Sequence, residues 1–449
     1  MPLERWVRAA TALASRLDRL RPGVLDGPAP YPDVVRRVAD EPRPDPRDLV
    51  AEAVRLRREI ADAGPVPGAD HLDAQLVALH CQARLLAGER VGHLAQVYAL
   101  YGVLPRRSEP DVHAEVHRRL ADLLPGRGPV AARMQAYREN DLVPADRLGP
   151  AARAIAAELR RRTGDALGLP PGEHADLDVV GERPWTAFTR YRGGFRSRIT
   201  LSTGARVRAG QLLPLLAHEA YPGHHTQYCR AEVATHRFPE LGLRLVHSPQ
   251  ALIAEGAAEA AASVLPGSGW GRVAEHALAG AGVRLDGDLA ERVEAELEGL
   301  AGVRQEAALM RHVDGAGPDE VVAHLSHRLL VPEERARRML DFLDHPQWRS
   351  YPVTYAEGAP LVRNWLSRHS GGPVAGLRVL LDTPVLPADL LDVPITDGGD
   401  TPPNHSVPER VPTAGLLRSP RHECDERSAT VRVAAGDADV GRYPAHGER

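Results

Sequence analysis

Residues 212–228 contain the side chains of this sequence best suited to chemistry. An apolar run ends in His218 and Glu219, and two further histidines, His224 and His225, follow within two helical turns. Neutral imidazoles bind Zn²⁺, and a carboxylate beside a histidine ligand can polarise a water molecule at the metal. This order of residues is typical of the helix that carries the zinc site of a hydrolase.

The spacing of these residues differs from the usual H-E-x-x-H pattern, because Pro222 stands four residues after His218. Proline cannot donate to the carbonyl one turn earlier, and Gly223 accepts unusual backbone angles, so we expect the helix to bend or bulge here. On an undistorted helix His224 points away from His218, and His225 lies about 10 Å further along the axis. A two-residue insertion absorbed as a bulge would bring His224 into register as the second ligand, with His225 as the alternative.

Two carboxylates on a second predicted helix complete the candidate site. Glu255 and Glu259 are one turn apart in a stretch of small and apolar residues. Two carboxylates are costly there unless a cation faces them, and Zn²⁺ would be that cation. We expect Glu255 to be the third protein ligand and Glu259 to orient a ligand histidine. Glu219 would then be the general base that activates water for attack on a carbonyl group.

These motifs resemble those of a known family. The sequence H-E-A-Y-P-G-H-H with a downstream E-G-x-x is similar to the bacterial family called domain of unknown function 885, which is grouped with the zincin metallopeptidases of the glutamate-ligand type. The resemblance covers about residues 49–369 and includes segments 184–185, 191–198 and 349–358. It implies a mainly helical catalytic domain with a small sheet or hairpin beside the active-site helix, Zn²⁺ as the metal, and hydrolysis of peptide or other amide bonds.

Residues outside the ligand set are candidates for contact with a substrate. Tyr355 lies in the last of the resembling segments, and its phenol could donate to the oxyanion of a tetrahedral intermediate, as related metallopeptidases use Tyr or His. Arg198, on a predicted strand before the site, could pair with a substrate carboxylate, although arginine is too abundant in this chain for one residue to weigh much. We interpret Cys229 as a buried structural cysteine.

Apolar residues at three- and four-residue spacing predict a mainly α chain. The spacing predicts helices at residues 49–62, 72–85, 112–124, 151–167 and 288–311. Segments 176–180 and 195–203 are rich in β-branched residues and predict a small sheet or hairpin, with Gly193-Gly194 between them. We divide the chain into an N-terminal helical portion (1–170), a zinc-hydrolase catalytic portion (171–396) and a polar C-terminal tail (397–449) predicted to be disordered.

Composition narrows the classes of function. The 449 residues include 56 basic residues, all of them arginine, against 60 acidic ones, and this balance argues against nucleic acid as an obligate partner. No apolar run approaches the roughly 20 residues that cross a bilayer, and arginines interrupt the first 20 residues, so we expect neither a membrane span nor a signal peptide. Three cysteines without a C-x-x-C pair indicate reduced thiols, and the cytoplasm is the expected location.

The sequence therefore predicts a cytoplasmic zinc metallopeptidase that acts on a peptide or small amide, with no nucleic-acid or membrane partner and no specified oligomeric state. His218, His224 and Glu255 would hold Zn²⁺, and Glu219 and Tyr355 would serve catalysis. One alternative keeps the metal and hydrolyses a small non-peptide amide, ester or lactone. A second alternative is a helical binding or scaffold protein that derives from a peptidase and has lost catalysis.

Overall fold

The computed structural model describes residues 2–109, 111–181 and 186–391. The predicted tail at 397–449 and the segment 184–185 of the family resemblance lie outside this part of the chain. The described residues are mainly helical and contain one three-stranded sheet, which confirms the predicted fold class. Among these residues, no helix is both long enough and apolar enough to cross a lipid bilayer.

The elements follow one another as helices, a small sheet and further helices. Before the sheet lie α1 (Pro2–Leu20), α2 (Pro32–Ala39), α3 (Pro46–Asp62), α4 (Ala69–Leu86), α5 (His93–Tyr101), α6 (Val112–Leu123), α7 (Val130–Asn140) and α8 (Ala145–Leu167). The strands are β1 (His174–Val180), β2 (Ala187–Gly193) and β3 (Arg196–Ser202). After the sheet lie α9 (Ala209–Glu219), α10 (His224–Ala234), α11 (Pro249–Glu259), α12 (Ala261–Val264), α13 (Trp270–Gly280), α14 (Gly287–Glu298), α15 (Val303–Leu309), α16 (Pro318–Leu329), α17 (Glu333–Asp344), α18 (Ala359–Arg368), α19 (Gly372–Asp382) and α20 (Pro387–Leu391). Short 3-10 turns span Thr203–Ala205 and Pro239–Gly242, and π-helical turns span Met310–Asp314 and Thr354–Gly358.

Helix α3 illustrates why the predicted helices form. The Asp45 carboxylate accepts a hydrogen bond from the backbone N–H of Arg47 and so caps the first turn. One face is buried over the length of the helix by residues at three- and four-residue spacing: Leu49, Ala53, Leu56 and Ile60. The predictions for residues 49–62, 72–85, 112–124 and 151–167 correspond in the same way to α3, α4, α6 and α8.

The single helix predicted over residues 288–311 is wrong. The chain forms α14 and α15 with a break at residues 299–302, and a π-helical turn follows α15. Gly299 and Gly302 are the first and last residues of the break, and a Cβ atom at Gly299 would lie 2.8 Å from Cγ2 of Val116 on α6. The break lets α6 pack closely and turns Leu300 into the core, where it is 2% exposed. Tertiary packing therefore overrides a helical periodicity that two glycines had already weakened.

The small sheet has the strand order β1-β3-β2. Strands β2 and β3 form an antiparallel hairpin, and β1 pairs with β3 in parallel. The sequence interpretation did not single out β2, although Ala187, Thr189 and Tyr191 are all buried and alternate with the half-buried Phe188 and two exposed arginines. This face of the hairpin lies against α9 and α10.

The buried apolar residues form three main clusters. One joins α1, α3 and α4, and a second joins α8, α9, α13 and the sheet. The largest cluster contains residues from both sides of position 170, for example Tyr101 and Met134 with Leu252 and Tyr351. Helix α9 belongs to the second cluster and α11 to the largest one, and these helices contact each other. The predicted ligands lie on these two helices and at the start of α10.

Candidate metal centre

Helix α9 holds His218 and Glu219 in its last turn. Its apolar face, with Leu212, Leu213 and Leu216, is completely buried in the second cluster. His218 is 8% exposed and Glu219 is fully buried. Packing of the helix body therefore determines where the two functional side chains lie.

The sequence predicted that one helix bends or bulges here, but the structure shows a break: α9 ends at Glu219 and a separate helix follows. Residues 220–223 leave the helical path, and α10 begins at His224. The Gly223 N–H donates to the Ala217 carbonyl at 2.8 Å and closes the loop against the end of α9. Pro222 has no N–H to donate to the His218 carbonyl one turn earlier, so α9 cannot continue through it. The chain then starts α10 as a separate helix.

Gly223 is required at this loop because of its close approach to the backbone. A Cβ atom there would lie 1.9 Å from the His218 carbonyl oxygen and 2.3 Å from that of Ala217. We expect Gly223→Ala to lower the free energy of unfolding by about 1–3 kcal/mol. The substitution should also weaken metal binding, because it would force His218 and His224 apart. Thermal denaturation and zinc titration measure both effects. Gly280→Ala is the matched control, since its added methyl group meets nothing within 4 Å, and equal losses in both variants would contradict this role of Gly223.

Helix α11 supplies the carboxylates. The Ser248 hydroxyl accepts from the Ala251 N–H and caps its first turn. Glu255 is 1% exposed, and the next residue, Gly256, packs so closely that a Cβ atom would lie 2.4 Å from the carbonyl oxygen of Gly358. The π-helical turn Thr354–Gly358 is therefore held directly against the helix that carries Glu255.

His218, His224 and Glu255 come together in one buried group, in which one ligand atom from each lies within 4.8 Å of the others. The Nε2 atoms of the two histidines are 3.0 Å apart. Glu255 Oε1 is 3.3 Å from His224 Nε2, and its Oε2 is 3.7 Å from His218 Nε2. Two nitrogen ligands of a tetrahedral Zn²⁺, each about 2.0–2.1 Å from the metal, are about 3.3 Å apart, so these separations fit that ion.

Hydrogen bonds on the far side of each imidazole determine its tautomer. Gln227 donates from Nε2 to the Ala254 carbonyl, so its Oε1 faces His224 Nδ1, 2.8 Å away, and accepts a hydrogen bond from the Nδ1–H group. His218 Nδ1 lies 3.3 Å from Glu259 Oε1, which also accepts. When both rings are neutral, as metal ligands must be, these acceptors keep the protons on Nδ1 and the two Nε2 lone pairs point at each other. A cation between them and the Glu255 carboxylate resolves that repulsion.

Electrostatics at the centre favour positive charge. Burial lowers the pKa of His218, but the hydrogen bond to Glu259 and the charges of Glu255 and Glu219 outweigh burial and raise this pKa to about 9. Burial raises the pKa of Glu259, whereas its contact with His218 lowers it, with a net downward shift. The Glu259 carboxylate therefore stays ionised beside His218.

Glu219 is oriented by a residue of the sheet. The Thr189 hydroxyl lies 2.6 Å from Glu219 Oε2 and donates to it, and it also lies 2.8 Å from the Glu219 carbonyl. Within the described chain, Glu219 Oε1 is buried and has no hydrogen-bond partner. One carboxylate oxygen is thus fixed by β2, and the other remains able to accept a proton from water or substrate.

His225 lies outside the group and has a different set of partners. Its Nδ1 is 2.7 Å from Ser197 Oγ on β3, and its Nε2 is 2.8 Å from Glu173 Oε2. Burial raises the pKa of Glu173, but hydrogen bonds from His225, Tyr221 and Arg160 together lower it to about 2. This network fastens the start of α10 and the loop before it to the sheet and to α8.

The remaining candidates, Tyr355, Arg198 and Cys229, lie on three different elements of the fold. Tyr355 lies in the π-helical turn packed on α11, with its ring edge-on to Tyr351 at a centroid distance of 5.7 Å. Arg198 is on the outer surface of the sheet and donates to Asp178. Cys229 is fully buried beside His225, and burial raises its pKa to about 12, as expected for a structural thiol.

Sequence reasoning missed the residues that orient the candidate site, namely Thr189, Gln227 and Glu173. The alternation of buried and exposed residues along β2 was a usable signal for Thr189. Gln227 is three residues after His224, which is the spacing of side-chain neighbours on a helix. Glu173 had no local signal, because its partners Arg160, Tyr221 and His225 come from three separate segments.

Comparisons with known proteins give information on the fold of this chain but not on its activity. No family model matches the chain, and no curated protein does. A solved structure of a "putative lipoprotein" from Colwellia psychrerythraea is similar with a TM-score of 0.50 and 16% sequence identity over 76% of this chain. This chain spans 65% of the length of that protein. A "putative lipoprotein of unknown function" from Shewanella oneidensis has a TM-score of 0.44 and 15% identity, with coverage of 81% of this chain and 77% of that one.

Proposed function

We propose that this protein is a zinc-dependent hydrolase that cleaves peptide bonds. The observation that carries the proposal is the convergence of two imidazole Nε2 atoms and the Glu255 carboxylate, with the tautomers of both rings held by Glu259 and Gln227. Such a buried donor set suits Zn²⁺, and three protein ligands leave a fourth position open, as in catalytic zinc sites. The resemblance of the motifs to zincin metallopeptidases supports an amide as the scissile bond.

In this mechanism His218, His224 and Glu255 would hold Zn²⁺, and the bound ion would supply Lewis acidity for the scissile carbonyl and for a water molecule. Glu219 takes up the proton of the attacking water on Oε1 and transfers it to the leaving amine. Thr189 keeps the other carboxylate oxygen in place, so that the free oxygen points the same way throughout the reaction. Tyr355 lies in the turn packed on α11, and its phenol is assigned the role of hydrogen-bond donor to the developing oxyanion.

The first test is elemental analysis followed by a substrate screen. The purified protein is expected to contain about one Zn²⁺ per chain, because the described residues offer one such three-ligand group. It should cleave members of a mixed peptide library, and a chelator should abolish cleavage until zinc is restored. Cleavage of esters, lactones or small amides alone would favour the non-peptide alternative. A zinc-loaded protein that hydrolyses none of these compounds would contradict the proposal and favour the scaffold alternative.

The cytoplasmic location belongs to the same proposal. The protein of similar structure from Colwellia psychrerythraea is described as a "putative lipoprotein", and fractionation of the cells that produce the present protein distinguishes a cytoplasmic location from a membrane-associated one. Recovery in the membrane fraction would contradict the cytoplasmic assignment.

A further inference from the structure

A cleft lies between α10 and α11, the two helices that carry His224 and Glu255. The space between them measures about 670 Å³ when its open, solvent-filled mouth is included. Alanines from both helices line it, among them Ala231, Ala254 and Ala257. The end of α19 closes one side with Leu380 and Leu381. Small side chains on the two facing helices leave the space that larger residues would fill.

The cleft continues along the face of α10 that carries the metal ligand. At about 100° per residue, Tyr228 and Ala231 lie within roughly 40° of His224 around the helix. Gln227 joins the two regions, because its side chain lines the cleft while its Oε1 accepts from His224 Nδ1. A molecule in the cleft therefore lies one to two helical turns from the candidate metal centre, against the amide that orients His224.

The lining determines which chemical group fits. Leu241, Leu245 and Ile253 add apolar surface to the alanines. The charged residues of the lining are engaged with Tyr228: Asp26 accepts from its hydroxyl at 2.7 Å, and the Arg244 guanidinium lies 5.4 Å from its ring centroid. An apolar group is thus favoured in the cleft over a charged one, because a charged group would lose its hydration without a dedicated partner.

We propose that this cleft is the specificity pocket of the hydrolase and receives a bulky apolar side chain next to the scissile bond. The inference rests on the proposed hydrolase function and adds the substrate class to it, namely peptides with an aromatic or large aliphatic residue at one position beside the cleaved bond. Continuity with the face of α10 that carries His224 distinguishes this cleft from an unrelated surface groove.

The kinetic test uses peptides that differ only in that residue, with Phe or Leu against Gly. For the wild type we expect kcat/KM to favour the bulky residue by at least about 10-fold. Ala231→Phe should lower kcat/KM for the Phe and Leu peptides by at least about 10-fold and so remove this preference, with zinc content unchanged. Ala231→Leu should give an intermediate loss. Val233→Phe, on the opposite, exposed side of α10, is the matched control and should behave as wild type. An equal loss for both peptides, or an unchanged preference, would overturn the proposal.

A binding measurement separates this inference from the hydrolase proposal. N-acetyl-phenylalanine amide and N-acetyl-glycine amide are titrated into the full-length protein, and ligand-observed NMR reports their binding. The phenylalanine amide should bind at least about 10-fold more tightly, and Ala231→Phe but not Val233→Phe should abolish the difference. If this result is obtained and no peptide is cleaved, the pocket for an apolar side chain is supported and only the proposed hydrolase function is contradicted. Equal binding of the two amides would overturn the pocket even if peptides are cleaved.

Discussion

Glu219→Gln is expected to lower turnover by about 10²-fold or more while the protein keeps its zinc, because a positioned general base is lost and no metal ligand is changed. The glutamine side chain has the same shape, and its amide oxygen can still accept the hydrogen bond that Thr189 donates to Glu219. The substrate affinity should therefore change little. Steady-state kinetics on a cleaved peptide, together with zinc analysis of the same preparation, measure both parts of the expectation.

Glu320→Gln is the matched control for this experiment, since it makes the same chemical change on the exposed surface of α16. It should leave turnover unchanged. Loss of zinc from Glu219→Gln would mean that Glu219 serves as a ligand. Full turnover in Glu219→Gln would contradict its role as the base.

The second large effect is loss of the metal when a ligand is removed. His224→Ala, His218→Ala and Glu255→Ala should each weaken zinc binding beyond the roughly 10- to 100-fold that loss of an outer-shell partner costs. Glu259→Ala removes such a partner, the acceptor of His218 Nδ1, and should fall within that range. Competition with a chromogenic chelator gives the zinc affinity of each variant.

His225→Ala is the matched control for His224→Ala, because the two histidines are adjacent and both fully buried. It removes a partner of Glu173 and Ser197 and should cost about 1–3 kcal/mol of stability, measured by chemical denaturation. Zinc binding should survive in this variant. The opposite ranking, with zinc lost from His225→Ala and kept by His224→Ala, would contradict the ligand assignment.

The sequence by itself determined the helical character of the chain and the identity of the candidate ligands. Periodic apolar residues predicted α3, α4, α6 and α8, because a helix with one buried face has apolar residues three and four positions apart. The side chains His218, Glu219 and Glu255 could be selected because their chemistry is costly on apolar helices unless a ligand faces it. Both kinds of inference need only neighbours along one helix.

Only the tertiary structure decided how these parts meet. Local spacing did not decide whether His224 or His225 is the second ligand. The loop closed by the Gly223 N–H orients His224, whereas Glu173 and Ser197, which are distant in sequence, both bind His225. Contact with α6 likewise broke the helix predicted over residues 288–311. The physical reason is the same in each case: hydrogen bonds and close contacts between residues far apart in sequence have no periodic signature, yet they select among backbone paths that local preferences leave nearly equal in energy.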